Sequence, residues 1–529
     1  MIGRTFKGTA LAVLLALASP APADELRDRV ERLERELDEL KAELKRRDAE
    51  KAAAQPATAP PAAPAETAKA PAAAPARIGD RYGIVPAALL DRVRLGGYGS
   101  IRYEGSSLDD QKHTFTFRRF VLTADANIAP RLRAYMELEF ERFRKLELEK
   151  KTTAQTGGGL TVQNSVEGTD DSEISLEQAW VEYELWDKWL RARAGAVLVP
   201  LGRFNLNHDD DRWDLPRRSL VDRGVSVLPV PAAWDELGAG LVGDLPVGQQ
   251  GMLSYQGYVM NGVTLDTNFE QIVSTRKGDT TLQEIEGEIE PSNGTFNVDT
   301  KDAKAGAARV AWSPWLGHEI GLSGYYGQYT PDFLGNEDLY ALVADGRTGW
   351  GPFELEGEWI YTHYENVEGV ARRLARSALH KESESEAGTV ESEVEFELAN
   401  LARAKHGYWL EGRYRFWPAF LSDTVLGRGL SNPQLIAVAR VEQVWLDGLV
   451  DQVDFTNGIL TNFTDEHRWV DRFTGGLTYR PVPLVAFQLA YEFTLTNDGK
   501  SLSGVTNYLV AGPHEDHAHT VLVGAAFGF

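Results

Sequence analysis

The sequence predicts an all-β transmembrane antiparallel barrel of about 16 strands, preceded by an N-terminal helical coiled-coil segment. Three observations carry this. From Val93 onward apolar and polar residues alternate with period two, as in a strand with one face in an apolar medium. Tight turns alternate with long loops along the same stretch. The final residues, "HTVLVGAAFGF" (519–529), form a strand with an apolar face that runs to a terminal aromatic, Phe529.

The elements follow in chain order. Arg4 and Lys7 precede the apolar run "ALAVLLALA" (10–18), and Ala21-Pro22-Ala23 offers a small-residue cleavage site. Residues 1–23 therefore read as a secretory signal peptide, since the run is too short to span a bilayer. Its removal takes away two cations and moves the formal charge from −23 to −25. In residues 24–50, Leu26, Val30, Leu33, Leu37, Leu40 and Leu44 are spaced 4, 3, 4, 3, 4, an a/d seam among charged residues. A solvated single helix would leave that seam in water, so an oligomerising stalk is expected; the seam is too short to give the oligomer number. Residues 51–92 are an Ala/Pro-rich linker stiffened by proline.

The barrel is expected over 93–529. In "RLRAYMELEFERF" (131–143), Leu132, Ala134, Met136, Leu138 and Phe140 alternate with Arg131, Arg133, Tyr135, Glu137, Glu139 and Glu141. In "GYWLEGRYRFW" (407–417), Tyr408, Leu410, Tyr414 and Phe416 alternate with Glu411, Arg413 and Arg415. A soluble sandwich would bury the apolar face against a second sheet; a barrel would give it to lipid and the polar face to water. Loop lengths favour the barrel. Strands are expected near 93–105, 113–128, 130–147, 173–187, 189–200, 235–246, 249–262, 303–315, 318–329, 338–349, 351–365, 406–417, 433–446, 467–480, 483–496 and 517–529. Short links such as "NIAPR", "RTGWGPF" and "YRPVPL" alternate with long ones at 148–172, 201–234, 263–302, 366–405, 447–466 and 497–516. Short periplasmic turns and long outer loops mark an outer-membrane barrel with both chain ends in the periplasm. Residues 418–432 depart from the rule, being long where a tight turn is expected. The terminal strand then has a purpose: a closed barrel pairs its last strand with its first, leaving no edge in lipid.

Composition excludes other classes. There is no cysteine, hence no disulfide, thiolate metal site or cysteine nucleophile. Mean hydropathy is −0.31, and no stretch after the N-terminus is long and apolar enough for a membrane helix. The acidic balance argues against a nucleic-acid partner. No Ser/His/Asp signature or phosphate-cradling glycine loop is found, so no enzyme activity and no cofactor are expected.

"FTFRRFVLTADANIAPRLRAYMELEFER" (115–142) resembles the opening hairpin of the phosphate-selective porin O/P family. "AGAVLVPLGRFNLNHDDDRWDLPRRSLVDRGVSVLP" (195–229) is similar to that family's strand ending in Pro-x-Gly and the long loop reaching an Arg-Ser pair; "YEFTLTND" (491–498) and the last strand fit as well. The resemblance implies a trimeric, 16-stranded anion channel with a basic constriction, and a terminal Phe of the kind read by the barrel-insertion machinery.

The loop at 201–234 is long enough to enter the lumen and carries Arg203, Arg212, Arg217, Arg218 and Arg223. Arginine's planar fork suits phosphate and carboxylate, and a ring of basic side chains selects anions. Strand pairs Arg131/Arg133, Arg191/Arg193 and Arg413/Arg415 sit two apart and are expected to share the inward face. Against this, Asp209, Asp210, Asp211, Asp214 and Asp222 lie in the same loop and could neutralise the arginines, leaving a weakly selective or cation-preferring pore. The family's dedicated phosphate clusters are not recognisable. His514, His517 and His519, and the "HDDD" run (208–211), have spacings that can ligate a metal, but exposed loop side chains explain them equally and no metal is assigned. The expected function is an outer-membrane porin: a passive channel for small hydrophilic solutes, anion-preferring, with phosphate among the candidates, acting as a homotrimer in outer-membrane lipid with its N-terminal segment in the periplasm. The alternative is a structural barrel, a sheath or envelope tether whose coiled coil grips a periplasmic or cell-wall partner.

Overall fold

The computed structural model describes residues 92–107, 113–142, 146–154, 160–168, 173–222, 225–277, 280–294, 299, 301–380, 389–396, 401–457, 459–497 and 517–529. The expected signal peptide, coiled coil and nearly all of the linker fall in 1–91, outside the described residues. Among the described residues are 21 strands: β1 (Val93–Ser106), β2 (Thr114–Ala129), β3 (Leu132–Glu141), β4 (Leu146–Ala154), β5 (Leu160–Gly168), β6 (Glu173–Trp186), β7 (Leu190–Leu198), β8 (Asp235–Val247), β9 (Gly251–Met260), β10 (Thr264–Lys277), β11 (Thr280–Ser292), β12 (Ala305–Ser313), β13 (His318–Gln328), β14 (Asp338–Trp350), β15 (Phe353–Tyr364), β16 (Thr389–Phe396), β17 (Ala402–Phe416), β18 (Gln434–Thr456), β19 (Ile459–Val482), β20 (Val485–Thr496) and β21 (His517–Gly528).

Sixteen of these are barrel staves. The antiparallel ring runs β1-β2-β3-β6-β7-β8-β9-β12-β13-β14-β15-β17-β18-β19-β20-β21 and returns to β1. Each strand expected from the periodicity lies on one stave. Closure runs from Tyr98↔Gly528 to Ser106↔Thr520. Phe529 continues it through reciprocal backbone bonds with Gly97, of 3.0 and 3.3 Å. A Cβ on Gly97 would lie 2.1 Å from the Val121 carbonyl oxygen, which is why this seam takes a glycine.

The faces are inverted relative to a soluble sheet. On β21, Val521, Val523 and Phe527 are exposed outward while Ala518, Thr520, Leu522 and Ala526 are buried in the interior. On β3, Met136 is exposed and Glu137, Glu139 and Glu141 are buried. Apolar side chains face lipid, and the charges meet partners inside. Two aromatic belts frame the wall. At the short-turn end Trp186 packs on Trp189, His318 on Trp315 and Trp350, and Tyr414 on Phe353 and Phe416. At the long-loop end lie Tyr340 with Tyr361, His406 with Trp445, and Tyr491 and Phe493 with His519. Such belts sit at the two membrane interfaces.

Four expected loops hold more structure than the sequence indicated, and residues 148–172 carry most of the hairpin β4–β5. Residues 263–302 include the hairpin β10–β11. Residues 366–405 include helix α1 (Val367–His380) and β16, which pairs with β18 antiparallel and with β11 parallel. Residues 447–466 continue β18 and β19 past the membrane as 23- and 24-residue strands. The long link after β17 holds a 3₁₀ turn (Ala419–Leu421) and no strand, so the count of sixteen staves stands.

Candidate functional site

The segment 199–234 leaves β7 at Leu198 and returns at Asp235, and it lies inside the barrel. Its entry depends on Gly202, whose φ of 77° is costly for any residue with a Cβ. That turn aims the backbone N–H groups of Arg203 and Phe204 at Glu358 Oε2 on β15, at 2.8 and 3.0 Å. Asn205 ties the two ends of the segment together: its Nδ2 donates to the carbonyls of Val199 and Trp234, and its Oδ1 accepts from Trp234 N–H.

From there the chain crosses the lumen and is held on the far walls. Asp210 accepts from Ser100 Oγ on β1 (2.6 Å) and pairs with Arg119 on β2 (3.2 Å). Gln488 and Arg480 donate to the Trp213 carbonyl from β20 and β19. Leu220 N–H donates to Glu442 on β18 (2.6 Å), and Thr362 on β15 donates to the Val227 carbonyl (2.6 Å). Between these anchors the packing is apolar. Phe204, Trp213 and Trp409 form a ring cluster with centroids 4.7 to 6.3 Å apart, and Val221, Val225, Val227 and Leu228 are fully buried. The described part of the loop is a packed plug anchored on β1, β2, β15, β18, β19 and β20.

The structure places the expected arginines as follows. Arg203 pairs with Glu319 (2.9 Å) and Glu356 (2.6 Å). Arg212 is exposed and pairs with Asp209 (2.8 Å). Arg217 is buried between Glu104 and Glu492, and Arg218 pairs with Asp210 (3.2 Å). Arg223 is outside the described residues. Arg413 is buried among Glu354, Glu356, Glu411 and Asp214, and Arg415 lies at the mouth on Glu354. Arg133 pairs with Asp125 (2.8 Å). Arg131 does not share Arg133's face. It sits in the β2–β3 turn at φ 68°, where its guanidinium donates to the Leu185 carbonyl and lies over the outward Tyr183 ring. A bulge at Asn127/Ala129 ends the alternation before it.

Arg191 and Arg193 border a polar recess of about 310 Å³ against β6–β9 and β12. Arg191 pairs with Asp244 (3.0 Å) and Arg193 with Glu182 (2.7 Å), the latter guanidinium lying 4.0 Å from the Trp180 ring centre. Gln178, Ser254, Gln256 and Arg309 add polar groups to the lining, beside Leu198, Leu206 and Val242. Several wall residues that hold the plug were not singled out from sequence, among them Arg119, Glu358, Arg440 and Glu442. Three of these sit at polar positions of an alternating strand, a signal that was present. Arg119 was hidden because Arg118 bulges out of the β1–β2 register, so two adjacent arginines are both buried.

The histidine and "HDDD" expectations resolve locally. Burial opposes the charge on His208, but Glu177 at 3.3 Å outweighs it and lifts the imidazole to about 9. Burial also works against Asp210, yet Arg119 and Arg218 hold its carboxyl far below the usual range. Asp211, half-buried and beside Asp209, is raised to about 6. His514 lies outside the described residues, while Tyr491 and Phe493 hold the His519 ring on the outer wall. Among the described residues no group of three ligands suits a metal.

No family model matches the chain. A protein of Aquifex aeolicus (strain VF5), described as uncharacterized, is 25% identical over 172 residues, 32% of this chain; the match spans about a third (32%) of that relative's own length. Among solved structures, the barrel is similar to an anion-selective porin from Comamonas acidovorans (10% identity, TM-score 0.44, 83% of this chain and 99% of that one). It is also similar to Salmonella typhi OmpF in complex with daunomycin (10%, 0.45, 83% and 97%). A third is OmpT of Vibrio cholerae in its trimer form (10%, 0.41, 83% and 100%).

Proposed function

We propose that the chain is an outer-membrane passive channel for small hydrophilic solutes, assembled as a homotrimer, with the loop 199–234 narrowing it to a side passage. The observation that carries this is the recess beside β6–β9 and β12. There Arg191, Arg193 and Asp244 keep 24%, 19% and 34% of their side-chain surface in contact with solvent, while Ala486 and Leu522 on β20 and β21 are fully packed. Its cations are matched: Arg191 and Arg193 by Asp244 and Glu182, Arg309 by Asp345 (2.6 Å). Among the described residues no arginine cluster stands without carboxylates. The geometry therefore supports a passage of weak charge preference, with any pull on anions, phosphate included, coming from Arg191 and Arg193.

The test is planar-bilayer recording of the purified chain in a salt gradient. Small unit conductance is expected. Arg191→Ala plus Arg193→Ala should move the reversal potential toward cations, because charge in a narrow passage acts at short range and low dielectric. A reversal potential unchanged in that variant would remove this wall from the pathway. The apolar seal formed by Phe204, Trp213 and Trp409 favours a second reading, a structural sheath or tether for a periplasmic partner. A wild type that stays silent and conducts only once the loop is shortened would favour it.

A further inference from the structure

Asp222 is the knot of the plug loop. Its carboxylate accepts from Ser219 Oγ, its N–H donates back to that hydroxyl (3.1 Å), and its carbonyl accepts from Ala232 N–H (2.9 Å) and Ser226 Oγ (3.2 Å). Glu358 reaches it from the wall strand β15, and one Glu358 oxygen already receives the Arg203 and Phe204 N–H groups. The side chains are 0% and 3% exposed. The two carboxyls meet within hydrogen-bonding reach, and the remaining oxygens, Asp222 Oδ1 and Glu358 Oε1, have no donor in the structure.

The surroundings do not supply a cation in its place. Arg440 on β18 is bonded to Glu411 (2.7 Å), and Glu442 beside it takes the Leu220 N–H. Asp345 on β14 is matched by Arg309, and the Arg203 guanidinium is spent on Glu319 and Glu356. Lys405 on β17 lies against the Ser226 carbonyl at 3.4 Å. Farther along the loop, His208 faces Glu177 and Asp209, and Asp211 faces Asp209, Arg212 and Arg480. Two carboxylate anions in direct contact away from water repel strongly, so such a pair keeps one proton between them.

We infer that Asp222 and Glu358 form a proton-held latch that fastens the loop 199–234 to β15, and that the loop loosens when the proton leaves. The role as a gate rests on the channel reading above; the latch itself is a property of the loop and is tested without current. Burial pushes the Asp222 carboxyl up to about 7 from 3.8. A raised carboxyl favours the fastened state most below the free value and loses that advantage as pH climbs to the raised one, about tenfold in the opening equilibrium per pH unit. His208 changes over a higher window, from about 6.5 to 9.

The experiment is hydrogen exchange of the full chain folded in detergent, followed on peptides covering 217–228, with intrinsic rates corrected for pH. Between pH 4.5 and 6.5 the opening equilibrium of this segment should rise by up to ~100-fold in the wild type. In Asp222→Asn and in Glu358→Gln, each of which replaces the shared proton with an amide donor, it should stay flat. The second variant guards against misfolding of the first. A wild type with no pH slope, or either variant keeping the wild-type slope, overturns the latch and hands any response to Asp211.

Discussion

Arg217 and Arg212 share one loop and differ in what surrounds them. The Arg217 side chain is 2% exposed and bridges Glu104 on β1 and Glu492 on β20. That of Arg212 is 59% exposed and forms its ion pair with Asp209 (2.8 Å). Truncating this arginine removes the buried pairing with Glu492, while Glu104 keeps Arg102 (3.0 Å), so Arg217→Ala should lower stability by about 3–5 kcal/mol. Arg212→Ala should change it by less than about 1 kcal/mol, since water already screens that pair. Denaturant unfolding of the detergent-folded barrel compares the two; equal effects would mean that the plug is not docked as described. His208 gives a pH-dependent counterpart. Its imidazole is raised from 6.5 to about 9, so its pairing with Glu177 stabilises the docked loop fully below about pH 6.5. That stability is lost as pH rises toward 9. His208→Gln should flatten the unfolding midpoint across that interval, and a retained slope would place the titrating group elsewhere.

At the scale of elements, the staves were legible because lipid outside and charge inside impose strict period two, as Leu132–Glu141 shows. The rim was not. β18 continues to Thr456 through bulges at Asp447/Leu449 and Val450/Gln452, each of which shifts the alternation and makes the stretch read as a loop. Helix α1 left a signal that went unused, since Val367, Val370, Ala371 and Leu374 recur at helical spacing and are buried. That the loop is long enough to enter the lumen was readable; which arginine meets which carboxylate was not. Arg203 and Glu356 are 153 residues apart, and only barrel closure brings them to 2.6 Å. The element that turns the loop inward is Gly202. A Cβ there would lie 2.1 Å from Glu358 Oε1, on a backbone already at φ 77°. Gly202→Ala should therefore cost about 1–3 kcal/mol. Gly412→Ala, at a position with open space around it, should be close to neutral. Thermal unfolding of both variants checks this, and a tolerated Gly202→Ala would show that the entry turn can be made another way.

For the whole molecule, the question is what holds copies together. The barrel carries exposed apolar side chains around its wall, such as Leu241, Val259, Ile320 and Leu489, and lipid satisfies them as well as another barrel does. The leucine seam at 24–50 is different, because as an expected periplasmic stalk it would meet water, where apolar burial drives association. We therefore expect the stalk to supply a large share of the stability of the proposed trimer. Replacing Leu33, Leu37 and Leu40 together with Ser should weaken the oligomer, each lost buried leucine costing roughly 2 kcal/mol or more per chain. The barrel fold should be unaffected, because the seam and the barrel belong to separate units divided at Ala76 and Arg77. Sedimentation in detergent over a concentration series separates the possibilities. A triple variant that dissociates at concentrations where the wild type stays associated supports the stalk as the clamp. A variant as tightly associated as the wild type would assign the trimer to the barrel walls and leave the seam for a partner other than this chain.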